Sequence, residues 1–334
     1  VAMVHDNTDL SQYDKSVVKL FISEYKDQDY VKAAQYLNEK QYGTVILQYE
    51  FGMIFGMHLI CFMRHVKSRL ITTLHTVTRS YSEHNQAYVQ QVDLLSHRMV
   101  VMTHTMRHVL QSFHSIPAKR VVVIPHGVPN LLFDRTELTP RQYLYPGRIV
   151  LFSNGLIHQK KGIEYVIRAM PRIIAKFPNV LYVVSGKPHP SGWGAKDYYE
   201  DLKKSIRTPI LRNHVIFNET FVPTDELITM IQSVSVYINA YTDTDQSVSG
   251  TLAMAMGTGA VCISTPYPYA LEMLRNNTGI LVPFTESTPL ADSVIHILSH
   301  PDEAREMRRK AWETAQKQIW SEVGTAYVQL SLLD

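Results

Sequence analysis

Residues 233–265 read SVSVYINAYTDTDQSVSGTLAMAMGTGAVCIST. An apolar, β-branched run, Val234–Ala240, is bounded by a polar loop, which is the pattern of a strand. A short helical stretch, Gly250–Met256, follows, and a second apolar run, Ala260–Thr265, reads as another strand. Strand, helix and strand in that order, with both strands apolar throughout, fit a parallel sheet covered on both faces. Ser249, Gly250 and Thr251 stand where the first strand hands over to the helix. Ser249 suits an N-cap, Gly250 leaves the backbone open to close approach, and Thr251 adds a hydroxyl. Unpaired N–H groups at such a helix start attract anions. The same three residues equally suit an ordinary cap with a packing glycine, so the rest of the chain has to discriminate.

The rhythm extends in both directions. Val1–Val4 reads as a strand, Asp29–Asn38 as a helix with Val31, Ala34 and Leu37 on one face, and Thr44–Gly52 as a strand with a charged and aromatic tip. Helix Phe51–His65, strand Arg69–Thr76, helix Ala87–His97, strand Arg98–Thr103, helix Met106–Phe113 and strand Arg120–Val128 follow. Residues 129–146 contain three prolines and lose the pattern, which marks a linker. It restarts with strand Ile149–Gly155, helix Ile163–Phe177, strand Val180–Gly186, helix Ala195–Ser205, strand Val215–Glu219 and helix Thr224–Ser233. Beyond the opening segment come strand Gly279–Phe284 and a helical carboxyl end. The expected fold is α/β, with two Rossmann-like, doubly wound domains facing each other across a cleft. Residues 1–140 form the first, 147–310 the second, and 311–334 are helices that can cross back to the first. Because VAMV opens inside an element, the first domain is expected to be truncated at its start.

At 334 residues the chain suits two domains of ordinary size. Its 45% hydrophobic and 19% charged content is that of a soluble globular protein. A formal net charge of +3 without a Lys/Arg block gives no footing for nucleic acid. Cys61 and Cys262, each in an apolar run, read as buried free thiols in a reducing compartment. No Cys/His spacing suits zinc and no carboxylate cluster suggests a metal, so no metal and no cofactor are expected. The apolar run Phe51–Met63 falls short of the roughly 20 residues that span a bilayer. It reads as a buried helix or, with RHVKSR behind it, as a helix in peripheral contact with a membrane. No secretory signal is legible, and a cytoplasmic or membrane-associated location is expected.

In open α/β sheets, ligands bind beyond the carboxyl ends of the strands. That rule singles out Glu50, His75, His126 and the spans 155–161, 186–190 and 245–251. NGLIHQKKGIEYVIRAM (154–170) combines strand-end Gly155, a loop, Lys160–Lys161 and a glycine that opens a helix. A lysine there adds a point charge to the unpaired N–H groups and suits a phosphate; a bare KKG also fits two solvated surface lysines. His75 and His126 close apolar strands and suit proton transfer or hydrogen bonding as well as a structural role. Glu50, between Tyr49 and Phe51, suits a sugar hydroxyl or a salt bridge. Trp193, in GKPHPSGWG (186–194), suits stacking on a sugar or anchoring its loop.

Taken in order, LQYEFGMIFG (47–56), TTLHTV (72–77), VVMTHTM (100–106), VVVIPHGVPN (121–130), KKGIEYVIRAMP (160–171), VLYVVSGKPHP (180–190), QSVSGTLAMAMGTGAVCISTPYPYA (246–270) and GILVPF (279–284) resemble the retaining glycosyltransferases of family 4. Those enzymes have the two-Rossmann GT-B fold, and the resemblance covers nearly the whole chain. It implies transfer of a sugar from a nucleotide-sugar donor to a saccharide or lipid-linked acceptor hydroxyl, with retained anomeric configuration and no required metal. The nucleotide would lie against the second domain and the acceptor against the first. Residue by residue, Lys161 would neutralise the donor diphosphate, with Gly155 and Ser249 beside it. Gly250 and Thr251 would contact the donor sugar or distal phosphate, and Gln246 the sugar hydroxyls. His75, His126 and Glu50 would surround the reacting sugar and the acceptor. Glu272 matches a recurrent glutamate.

The chain also departs from the wider family. Leu156 stands where most members have an arginine, and Gln246 and Met254 where they have two glutamates. Gln at the first of these is common in this branch, whereas Met254 cannot accept a hydrogen bond from a ribose hydroxyl. The family's first strand, glycine-rich loop and first helix are expected ahead of VAMV. These departures carry an alternative expectation, a weak or inactive nucleotide- or sugar-binding module of the same fold.

Overall fold

The computed structural model describes residues 2–5, 13–50, 56–79, 81–131, 145–190, 192 and 194–333. The chain divides into two compact units, residues 1–125 with 325–334, and residues 126–324. The division falls ahead of the proline-rich stretch 129–146, of which residues 132–144 lie outside the described ones.

The first unit contains β1 (Ala2–His5), β2 (Leu20–Ser23), α1 (Asp27–Glu39), β3 (Thr44–Tyr49), α2 (Gly56–His65), β4 (Arg69–Leu74), α3 (Glu83–Leu95), β5 (Arg98–Val101), α4 (His104–His114) and β6 (Val121–Val123). Strands β3-β4-β5-β6 form a parallel sheet in that order, and β1 pairs with β2 in parallel. Strand β2 is not anticipated by the periodicity, since only Ile22 and Ser23 of its four residues are buried. The strand read over Arg120–Val128 stops at Val123. Two helices start on a hydroxyl: Ser82 caps α3 by accepting from Asn85 N, and Thr103 caps α4 by accepting from Met106 N. Helix α4 buries Met106, Val109, Leu110 and His114, the three-and-four spacing of one helical face. Buried Thr72 and Thr73 remain hydrogen-bonded, to Ser96 Oγ and Tyr327 Oη at 2.7 Å each. Cys262 of the second unit is fully buried as expected, but Cys61 on α2 is only half-buried; both thiols are free.

The second unit contains β7 (Ile149–Asn154), α5 (Ile163–Lys176), β8 (Val180–Ser185), α6 (Ala195–Ser205), β9 (Val215–Asn218), α7 (Thr224–Ser233), β10 (Val236–Asn239), α8 (Gly250–Gly257), β11 (Cys262–Ser264), α9 (Pro268–Met273), β12 (Ile280–Leu281), α10 (Ser287–Ser299) and α11 (Pro301–Ala315). The last helix, α12 (Trp320–Leu332), starts in this unit and ends in residues assigned to the first. Its six strands pair in parallel in the order β12-β11-β10-β7-β8-β9. Strand β8 shows why the strands read as unbroken apolar runs. Val180, Tyr182 and Val184 enter one core with residues of α5 and α10, while Leu181 and Val183 enter another with residues of α8 and α9. Each face therefore buries alternate side chains, at about 1.5–3 kcal/mol per fully buried aliphatic residue. Among the described residues, no helix is long and apolar enough to cross a membrane.

Candidate functional site

The strand order fixes where this unit can bind a ligand. From β7 the chain proceeds outward through β8 and β9, then returns to the other side of β7 with β10 and continues to β11 and β12. The reversal lies between β7 and β10, and the carboxyl ends beside such a switch point form the crevice of open α/β sheets. Strand β7 ends at Asn154 and β10 at Asn239.

Glycines bring the loops together at this edge. A Cβ on Gly186, which has φ +152°, would stand 2.0 Å from the Gly155 carbonyl oxygen. A Cβ on Gly162, φ +62°, would stand 2.0 Å from the Ala240 oxygen. Backbone cannot yield as a side-chain tip can, so both positions require glycine. The intervening 3₁₀ turn, Gln159–Lys161, separates successive side chains by a third of a turn. Lys160 and Lys161 consequently meet different surroundings. Exposed Lys160 pairs with Asp243, Nζ to Oδ2 2.6 Å. Lys161 Nζ instead donates to Tyr241 Oη at 2.8 Å and to the Asn154 carbonyl at 3.3 Å, and lies 4.6 Å from the Tyr241 ring centroid. A Cβ on Gly155 would be 2.9 Å from Lys161 Nζ and 3.6 Å from Thr251 Cγ2. Bare backbone thus separates the ammonium from the start of α8.

That start is organised by Asn239. Its Nδ2 donates to Ser249 Oγ at 3.2 Å and to Thr251 Oγ1 at 3.4 Å, and Ser249 Oγ caps α8 by accepting from Leu252 N. Asn239 Oδ1 is buried without a hydrogen-bond partner among the described residues. Tyr237 Oη donates to Asn154 Oδ1 at 2.8 Å. Asn154, Gly155, Lys161, Tyr237, Asn239 and Tyr241 all line one small cavity. Burial raises the affinity of the Tyr241 phenol for its proton, but the Lys161 ammonium outweighs that and holds it below the usual tyrosine range. His158, half-buried before the lysine turn, is pushed down to about 4, first by burial and then by Lys161.

His126 joins this group. Its Nδ1 donates to the Gly127 carbonyl at 2.8 Å, and burial lowers its pKa, so the ring is neutral with the Nε2 lone pair free of a proton. A Cβ on Gly250 would lie 2.9 Å from that Nε2. Gln246 donates from Nε2 to the Val248 carbonyl at 2.7 Å and so braces the loop before α8. Leu156 is 46% exposed, Met254 packs against the core, and Glu272 lies on α9. Trp193 lies outside the described residues.

Glu50 and His75 occupy the carboxyl edge of the first unit's sheet. His75 Nε2 donates to Gln48 Oε1 at 2.8 Å, and Thr76 Oγ1 donates to Glu50 Oε1 at 2.6 Å. Asn154, Tyr237, Asn239 and Tyr241 were not among the residues expected from sequence. For Asn239 and Tyr241 the signal was present, since both stand at the end of the strand Val234–Ala240. Among the described residues, one group of His, Cys, Asp or Glu is close enough to hold a metal: exposed His296, His300 and Glu303, at the junction of α10 and α11. None of the three lines the Lys161 cavity.

The family model of glycosyl transferases group 1 matches residues 134–318, and that of glycosyltransferase family 4 matches residues 23–130. An uncharacterized glycosyltransferase of Methanocaldococcus jannaschii is 28% identical over 217 residues, 61% of this chain and 53% of that protein. The chain therefore spans about half the length of this curated relative. The crystal structure of a glycosyltransferase from Rickettsia africae superposes with a TM-score of 0.77 at 15% identity, covering 99% of this chain and 89% of that one. Anabaena HepE in complex with UDP gives 0.75 at 15% identity, over 94% and 86% of the two chains. These likenesses give both parallel-sheet units the two-Rossmann GT-B architecture, and the chain belongs to the glycosyl transferases group 1 family.

Proposed function

We propose that the chain moves a sugar from a nucleotide-sugar donor to a carbohydrate or lipid-linked acceptor hydroxyl, with retention of anomeric configuration and without a metal or other cofactor. The observation that carries this reading is the convergence at the switch point: one ammonium, Lys161, and one helix start, Gly250–Thr251, either side of the bare Gly155 backbone. As the sugar C1–oxygen bond breaks, its electron pair stays on the diphosphate. Lys161 and the N–H groups of α8 are arranged to stabilise that charge, a contribution that often dominates catalysis in a preorganised site. The acceptor oxygen takes C1 and gives its proton to an oxygen of the departing diphosphate. Neutral His126 offers a lone pair beside Gly250 for a sugar hydroxyl, and Asn239 Oδ1 offers a buried acceptor. Glu50 and His75 are assigned to the acceptor hydroxyl, and Gln246 and Ser249 to holding the donor loop. The UDP-glucose complex of Anabaena HepE supports a nucleotide-sugar as donor.

Calorimetric titration with UDP, GDP and ADP and their glucose conjugates tests the assignment. Lys161→Ala is expected to weaken the best of them by more than tenfold; unchanged affinity sinks it. A second reading, a binding module with little turnover, is favoured by uncharged, exposed Leu156 and by Met254 packing on the core. Sugar transfer to an added acceptor, above hydrolysis by water, excludes it.

A further inference from the structure

Lys161 has a partner that the family resemblance does not assign. Tyr241 follows β10 by two residues, is 8% exposed, and packs its ring 5.1 Å from that of Tyr267. Its backbone is held as well: the Tyr241 carbonyl accepts from Thr265 Oγ1 at 2.6 Å, and the next residue, Thr242, donates its N–H to the Lys160 carbonyl at 3.0 Å. The phenol oxygen is therefore a fixed point, whereas a lysine has four rotatable bonds and loses substantial rotamer freedom when ordered. Tyr241 Oη accepts one ammonium N–H at 2.8 Å and the Asn154 carbonyl accepts a second at 3.3 Å, so one of three remains for a ligand. The Ser249 and Thr251 hydroxyls bond to each other and to Asn239 Nδ2 at the start of α8, across the Gly155 backbone from the ammonium. A protonated phenol accepts from the ammonium through its oxygen lone pair. It also does this without a full negative charge. A carboxylate in its place would neutralise the lysine and repel a diphosphate, which is the arrangement Lys160 has with Asp243.

We propose that Tyr241 is the positioning residue for Lys161: its buried hydroxyl fixes the ammonium beside Gly155, opposite the start of α8, so that cation and helix start meet the donor diphosphate together. The inference rests on the nucleotide-sugar reading above. Tyr241→Phe removes one oxygen and keeps the packed ring. Titration of wild type, Tyr241→Phe, Lys161→Ala and the double variant with UDP and GDP, and with uridine and guanosine as phosphate-free controls, tests it. The expected result is a fivefold to tenfold loss of diphosphate affinity in Tyr241→Phe, unchanged nucleoside affinity, and less than a twofold further change when Tyr241→Phe is added to Lys161→Ala. Full diphosphate affinity in Tyr241→Phe overturns the inference, as does an equal loss for nucleosides or an equal loss in the Lys161→Ala background. Should Tyr241→Phe melt far below wild type, the ¹⁵Nζ lysine spectrum of the wild-type protein decides. An exchange-protected ammonium resonance that vanishes in Lys161→Ala supports the inference, and its absence overturns it. A wild-type protein that binds no nucleoside diphosphate overturns the donor reading itself, a result distinct from normal wild-type binding with an unaffected Tyr241→Phe.

Discussion

Both units place polar side chains at the carboxyl edges of their parallel sheets, but the two edges differ in chemistry. The second unit offers an ammonium held by Tyr241, a capped helix start held by Asn239, and buried neutral acceptors. The first offers Gln48 with His75 and Glu50 with Thr76, two pairs composed of an amide, an imidazole, a carboxylate and a hydroxyl. The former is suited to an anion and the latter to a neutral hydroxyl, because charge recognition needs a fixed counter-charge whereas hydroxyl recognition needs an oriented acceptor. Similar sheets thus present different side-chain chemistry through the residues that follow each strand.

Substitutions can break this contrast. The largest expected effect is on turnover. If the first edge serves the acceptor, His75→Ala lowers the transfer rate about a hundredfold, the scale of a lost proton-transfer or hydrogen-bonding group, while nucleotide affinity stays within twofold. Transfer kinetics with calorimetric titration checks this, and the reverse of the Lys161→Ala profile is the expected result; a parallel loss of nucleotide affinity would erase the distinction between the edges.

A smaller effect is expected from acid. His158 has its folded pKa at about 4, below the ordinary 6.5, because burial and Lys161 disfavour the imidazolium. A base with a depressed folded pKa contributes stability that is complete above 6.5 and is lost as pH falls toward 4. Because the imidazole is only half-buried, solvent screening keeps that contribution well below the full worth of the shift. Calorimetric melting should show the second unit losing stability across this window, and His158→Asn should flatten part of the loss; His126, also depressed by burial, accounts for another part. An identical pH profile in His158→Asn would remove His158 from the account.

The smallest effect belongs to Lys160. Its pair with Asp243 is exposed on the lysine side, and such surface pairs contribute about 0.5 kcal/mol. Lys160→Ala should change nucleotide affinity less than twofold and thermal stability only slightly. A tenfold loss on titration would mean that both lysines serve the phosphate.

Much of this was readable before any coordinates. Helices α6 and α7 match the expected Ala195–Ser205 and Thr224–Ser233 residue for residue, because apolar spacing and flanking turn residues agree there. The unbroken apolar strands announced a sheet covered on both faces, and the strand-end rule pointed to Gly155, Lys161 and Thr251. Strand β2 escaped because only two of its four residues are buried, and helix α9 because six residues give too few turns for a helical period to register. The letters KKG could not say which lysine turns inward, since neighbours in a 3₁₀ turn differ only by rotation. Nor could spacing reveal the bond from Lys161 to Tyr241, which joins residues 80 positions apart. That partnership exists only once the strand order reverses between β7 and β10.

The divergence of the two lysines also bears on how a catalytic cycle would end. A nucleoside diphosphate departs with several negative charges, and a crevice that matched them all would retain its product. Here one ammonium is committed to Asp243, and the other faces the crevice among uncharged dipoles. On the proposed reading the spent nucleotide would be left incompletely compensated, and a three-residue turn would set the balance between a firm hold on the leaving group and its prompt escape to the solvent.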